Sequence, residues 1–152
     1  MEYKTSVPFA GSADAAIDIA RSQFIVHGFK VNQSGPAEIT VTGPGMQSTN
    51  QNPILGVTQA KISITSGHIS VCAELGGVKF MQRFIYIFPP ALCAFLGFTM
   101  AFFPNTPKHS PLIVIAVAAP WLVISPLMAK MIKTRTTKAV DTLVHNMKNI
   151  SG

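Results

Sequence analysis

The sequence predicts an α+β protein in two environments. A small cytoplasmic antiparallel sheet with one helix, in the order β-α-β-β-β-β, precedes a two-helix transmembrane hairpin and a C-terminal amphipathic helix. Three observations lead to this reading. Residues 1–78 carry short alternating segments broken by Gly, Ser and Pro. Phe84–Phe103 and Pro111–Ala129 are twenty and nineteen residues without a charge. Basic residues collect at the ends of those two stretches.

Composition narrows the class first. The 152 residues are 48% hydrophobic and 12% charged, with a mean hydropathy of +0.37. That is about half the charge of an ordinary soluble domain. Disorder is excluded, because it needs low hydrophobicity and high charge. A disulfide scaffold is excluded as well, since Cys72 and Cys93 are the only cysteines.

The elements of the first 78 residues follow in order. Tyr3, Thr5, Val7 and Phe9 alternate as a short strand. Ser12 is a fitting N-cap with Asp14 in the first turn, and Ala13, Ala16, Ile17, Ala20 and Phe24 share one helical face. Gly28 ends that helix in the C′ position. Phe29–Asn32 and Glu38–Thr42 are strand segments joined through Ser34-Gly35-Pro36. Val57–Thr65 and His68–Leu75 form a hairpin around Ser66-Gly67, a pair suited to a tight primed turn. The stretch from Gly43 to Leu55 is long for so small a domain, which marks it as a binding loop, a lid or a solvated connection. About 75 residues give a thin core, so support is expected from the membrane, the C-terminal segment or another subunit.

Each uncharged stretch is long enough for a helix to cross a hydrocarbon core of ~30 Å, which takes roughly 20 residues. The spans are placed at about 84–103 and 111–130, within a membrane unit of residues 79–131; residues 132–152 follow as a third unit. The linker Pro104–Ser110 forces an antiparallel hairpin, so both flanks share one side. Lys79, Arg83, Lys130, Lys133, Arg135 and Lys138 lie on that side, against Lys108 in the linker. The positive-inside rule then makes both termini cytoplasmic, in a membrane of plasma or inner type. Met1–Ala20 has neither a basic n-region nor a continuous apolar run, so no signal peptide is expected. Cys72 is then expected as a free thiol in a reducing compartment, with Cys93 inside a span.

Within the hairpin, Phe84, Phe88, Phe95, Phe98 and Phe102 fall on one stripe, read as a contact for lipid, for a partner subunit or for a flat cofactor which that subunit holds. Ala94, Gly97 and Ala101 fall on another face, at depths matching Ala116 and Ala119. These small residues are expected to bring the two helices together. Trp121 sits near mid-span beside Pro120, away from the interface where tryptophan is usual, and is read as a partner contact. Pro89, Pro90, Pro120 and Pro126 remove helical donors and predict kinks that need protein neighbours. Val140, Leu143, Val144, Met147 and Ile150 form an apolar stripe after the second span, expected on the membrane surface or against the sheet. Lys130, Lys133, Arg135 and Lys138 are expected to meet anionic headgroups. Nucleic acid is not the expected partner, since no aromatic platform interleaves with these cations.

Catalytic chemistry is sparse. His27, His68, His109 and His145 are scattered, without Cys, Asp or Glu at metal-ligand spacing. No ionisable His, Lys or carboxylate falls inside a span, which argues against a pump or an axial haem ligand there. No phosphate loop, nucleophile elbow or dinucleotide fingerprint is present, and no cofactor or catalytic residue is expected. The leading expectation is therefore a non-catalytic accessory subunit that packs against a larger membrane complex, with a cytoplasmic domain that caps or bridges neighbours. The alternatives are a membrane-anchored ligand-binding or sensory module with residues 43–55 as lid, and an enzyme acting at the lipid surface.

Overall fold

A computed structural model describes residues 1–47, 51–102 and 110–150. Five strands form one antiparallel sheet: β1 Glu2–Pro8, β2 Lys30–Ser34, β3 Glu38–Thr42, β4 Gln59–Thr65 and β5 His68–Glu74. Three α-helices accompany them: α1 Ala13–Val26, α2 Gly76–Phe102 and α3 Ser110–Ile150. The α+β class, the expected strand order along the chain and the antiparallel sheet are all present. In space the order is β1-β5-β4-β3-β2, so the first strand closes beside the last.

The local chemistry explains these elements. Ser66 and Gly67 both take positive φ, 53° and 74°, the conformation of a two-residue primed turn that follows the right-handed twist of β4 and β5. That turn sets the register, with Thr65 opposite His68 and Ile62 opposite Val71. One face of the sheet is consequently apolar: Ile39, Val41, Ala60, Ile62, Ile69, Val71 and Ala73 are all buried. α1 starts after Ser12, whose side chain makes no cap hydrogen bond, and it ends at Gly28, with φ 78°. Its buried residues are the expected Ala16, Ile17, Ala20 and Phe24.

The C-terminal region differs from expectation. The second apolar stretch and the amphipathic stripe are one continuous helix of 41 residues, α3, rather than two elements. The reason is local: Lys130 to Lys138 contains neither Gly nor Pro, so nothing in it stops a helix. Val140, Leu143, Val144 and Met147 are buried beside α1, and α3 also touches β1 and β5. The stripe thus lies against the sheet, the second of its two expected places.

The segment after β3 is not a loose connection where it is described. Met46 and Ile54 are buried, and Pro53–Gly56 forms a 3-10 turn wedged against α2 and α3. Asn52 caps that turn, its side chain accepting from the Ile54 amide at 3.1 Å. α2 begins directly after β5, where Thr58 Oγ1 accepts from the Gly76 amide at 3.2 Å. The strand directions place α1's C-terminus, this turn and the start of α2 at one end of the sheet. From that end both long helices depart.

Candidate functional site: the α2–α3 collar and cleft

α2 and α3 run antiparallel and meet along a seam. On α2 its buried residues are Val78, Met81, Ile85, Pro89 and Cys93; on α3 they are Ser125, Ala129, Ile132 and Thr136. Each set steps by three or four, the spacing that keeps one helical face against a neighbour. Gln82 Nε2 donates to the Ala129 carbonyl at 3.2 Å across the seam. On α3 the seam continues without interruption into Val140, Leu143, Val144 and Met147, so one stripe serves both the helix pair and the sheet.

The described contacts lie away from the small residues expected to meet. Ala94, Ala116 and Ala119 are exposed, and no described atom lies within 4 Å of where a Cβ on Gly97 would sit. Among the described residues, larger side chains nearer the sheet make the contact. Ala101 falls outside the residues whose side chains are described, as does Phe102; residues 103–109, which hold all of the expected linker but Ser110, fall outside the described residues altogether. The missed seam carries a sequence signal. Extending the Val140–Met147 stripe backwards in steps of three and four gives Thr136, Ile132, Ala129 and Ser125.

An apolar collar surrounds the pair. Phe84 is 49% exposed, Phe95 63% and Leu122 81%; Phe88, Phe98, Ile87, Val123 and Leu127 are exposed too. Phe84 and Phe88 stack, with ring centroids 4.9 Å apart and planes 16° from parallel. Gly76–Thr99 of α2 is long and apolar enough to cross a membrane. The stretch expected as the second span is helical throughout within α3, but α2 is the one such candidate among the described residues. Lys79 and Arg83 on α2, and Lys130, Lys133, Arg135 and Lys138 on α3, are exposed at the sheet end of the collar.

Where the helices part, a cleft of about 380 Å³ opens between Tyr86, Pro89, Pro90 and Cys93 on α2 and Ala119, Trp121, Leu122 and Ser125 on α3. The half-buried Trp121 faces this cleft. All four span prolines lie within helices. Pro90 and Pro126 have no N–H, so the carbonyls of Tyr86 and Leu122, one turn earlier, lose their ordinary helical donors. Both of those residues line the cleft.

The sheet domain offers little that converges. The space between α1 and the sheet is filled by side chains at most 2% exposed, including Ala16, Ile17, Phe24, Ile39 and Ile62. On the open face Glu38 pairs with Lys61 at 2.9 Å, His68 Nδ1 lies 3.2 Å from the Ser66 carbonyl, and Glu74 stands at the other end of β5. Among the described residues no group of three or more His, Cys, Asp or Glu is placed to hold a metal. Cys72 and Cys93 are free thiols. At the edge of the sheet Tyr3 Oη donates to Asp141 Oδ1 at 2.6 Å, tying β1 to α3. That hydrogen bond, then burial and the carboxylate charge, push the Tyr3 phenol above its ordinary pKa. No protein-family model, curated protein or solved structure matches this chain.

Proposed function

We propose that this chain is a non-catalytic accessory subunit of a larger membrane complex. It enters the bilayer twice as an antiparallel hairpin, with its sheet and both termini on the cytoplasmic side. The observation that carries this reading is the apolar collar on α2 and α3, rising from a filled α+β domain. Contiguous exposed apolar surface of this kind marks membrane or protein contact, since in water it costs about 25 cal/mol per Å². The exposed cations at the sheet end of both helices fit the positive-inside rule and an anionic headgroup layer. The Phe84–Phe98 stripe is the surface for lipid or a partner helix. Ala94 and Gly97, left open by the seam, allow such a helix to approach closely.

Native mass spectrometry after mild extraction tests the assignment. The expected result is a second membrane polypeptide at fixed stoichiometry. A stable monomer under every mild condition overturns it. Protease applied to the outside of intact cells tests the topology; the sheet domain is expected to survive, and its removal refutes a cytoplasmic placement.

A further inference from the structure

We infer that the free edge of β1, with the groove between it and α3, is a docking site for an extended acidic segment of another polypeptide, which adds to the sheet as a sixth strand. The choice of another chain over a second copy rests on the bilayer placement proposed above; the open edge itself does not.

The register shows which main-chain groups are open. The Leu75 amide donates to the Met1 carbonyl and the Phe9 amide to the Gly67 carbonyl, each at 2.7 Å, so the odd-numbered residues of β1 are the ones bonded to β5. Alternation then turns the main chain of the exposed Glu2, Lys4 and Ser6 outward, and β1 is the edge of the sheet. Three donors and three acceptors repeat there every ~6.8 Å. Pro8, without an N–H, closes the row. The opposite edge differs: β2 has five residues and its register shifts between Val31 and Gln33, an irregularity of the kind that spoils an edge for pairing. β1 keeps its seven residues in register throughout.

A row of alternating donors and acceptors at strand spacing selects an extended main chain, because a helix uses its own groups internally. The groove adds a charge preference. About 470 Å³ opens between Thr5, Val7 and Pro8 of β1 and Asp141, His145 and Lys148 of α3. Asp141 already accepts from Tyr3 Oη at 2.6 Å. Lys148, two turns farther along α3 toward Pro8, is exposed and has no ion-pair partner among the described residues. An added strand sets every second side chain toward this groove, and a carboxylate at the Lys148 end matches its charge. A second copy is excluded by direction. Paired antiparallel through β1, its long helices would leave the joined sheet at the opposite end, and one bilayer cannot take both.

The full-length protein in mild detergent at low salt is titrated with a labelled seven-residue peptide, blocked at both ends, that alternates threonine and valine after a leading glutamate. Fluorescence anisotropy reads binding, and hydrogen exchange by mass spectrometry reads protection of residues 1–8. Saturable binding with slowed exchange there is expected. The same peptide N-methylated at every amide keeps its side chains but has no donors, and is expected to bind at least about twentyfold more weakly. Ser6→Pro removes one outward amide and should weaken the first peptide about fivefold; its thermal melt should stay near that of the unaltered protein, since proline is tolerated where an edge N–H faces solvent. Lys148→Glu should weaken it about twofold to fivefold and leave a peptide led by glutamine unaffected. Equal binding of the methylated peptide overturns the inference, as does an unchanged affinity in Ser6→Pro or Lys148→Glu, or no saturable binding of the first peptide. A dimer in detergent that Ser6→Pro dissociates overturns it in favour of a second copy. Failure of the bilayer placement shows separately, as a chain that stays monodisperse in water without detergent.

Discussion

Thr136 gives the most exacting test of the packing. It sits on α3 in the seam, 0% exposed, and its Oγ1 is the one buried side-chain polar atom among the described residues that lacks a hydrogen-bond partner. It faces Gly56 of the 3-10 turn, where an added Cβ would come within 2.5 Å of Oγ1 and 2.9 Å of Cγ2. A hydroxyl taken out of water without a partner costs about 1–3 kcal/mol. Thr136→Val exchanges it for a methyl of nearly equal shape, with the same β-branching and similar helix propensity. The slightly larger methyl crowds Gly56 and offsets part of the gain, leaving a net stabilisation of about 1 kcal/mol. That corresponds to a Tm rise of about 2–4 °C for a protein of this size. Thr136→Ser keeps the hydroxyl and removes one methyl, so it is expected to lose about 1 kcal/mol. Thermal melts of the three proteins by circular dichroism, in one detergent at one concentration, separate polarity from packing. If Thr136→Val destabilises by 1 kcal/mol or more, the hydroxyl makes a bond that this account denies, and the reasoning fails.

Gly56→Ala is expected to cost about 1–3 kcal/mol through overpacking, with at least about 0.5 kcal/mol recovered in the Gly56→Ala/Thr136→Ala double variant; strict additivity in the cycle excludes the contact. Tyr3 links stability to pH. Because its folded pKa is raised, the stabilisation is fully present below pH ~10 and is lost as pH rises through the folded value. Tyr3→Phe should remove that alkaline slope, as read by urea midpoints across the range, at a cost of about 1 kcal/mol at neutral pH. Gly67→Ala, at φ 74°, should cost about 1 kcal/mol, whereas Ser66→Asn, at φ 53°, should be neutral or mildly stabilising. Met147→Ala removes a fully buried side chain far from the collar and should cost about 2–5 kcal/mol; a loss below 1 kcal/mol would show that the end of α3 does not seal the sheet.

The sheet was readable because its signals are local. Alternation in Ile62/Ile64 and Ile69/Val71/Ala73, the Ser66-Gly67 pair and the Ala16–Phe24 face each act within a few residues and do not depend on the rest of the chain. Glu38–Thr42 matches β3 residue for residue. The errors lie where distant segments compete for one surface. The Gly43–Leu55 stretch has the composition of a loop, yet Ile54 is buried because α2 and α3 lie against it. The Gly97–Ala101 spacing is a general signal for close helix approach, but it does not say which helix approaches. Inside this chain Met81, Ile85 and Cys93 already hold the pair together, and their stripe is hidden in the sequence by the interleaved charges Lys79 and Arg83. The cleft was only half visible. Pro89, Pro90 and Trp121 stand out in the sequence, but their convergence depends on helix rotation, which no local pattern fixes.

The continuous stripe on α3 has a consequence for how the molecule is assembled. Residues 1–75 contain β1 to β5 and α1, but α1 alone leaves much of the apolar sheet face uncovered; Val140, Leu143, Val144 and Met147 cover the remainder. A sheet with one face half open has too little burial to offset the conformational entropy of some 75 residues. The covering residues share one continuous helix, α3, with Trp121, Leu122 and Ser125. The sheet is therefore sealed only after the apolar helices that precede this cover have been made and placed. In a bilayer the rotation of α3 about its axis is set twice, once by the Ser125–Ile132 seam and once by the sheet. Both contacts lie on one apolar stripe of α3, from Ser125 to Met147. The collar, the cleft and the domain thus share one element, α3.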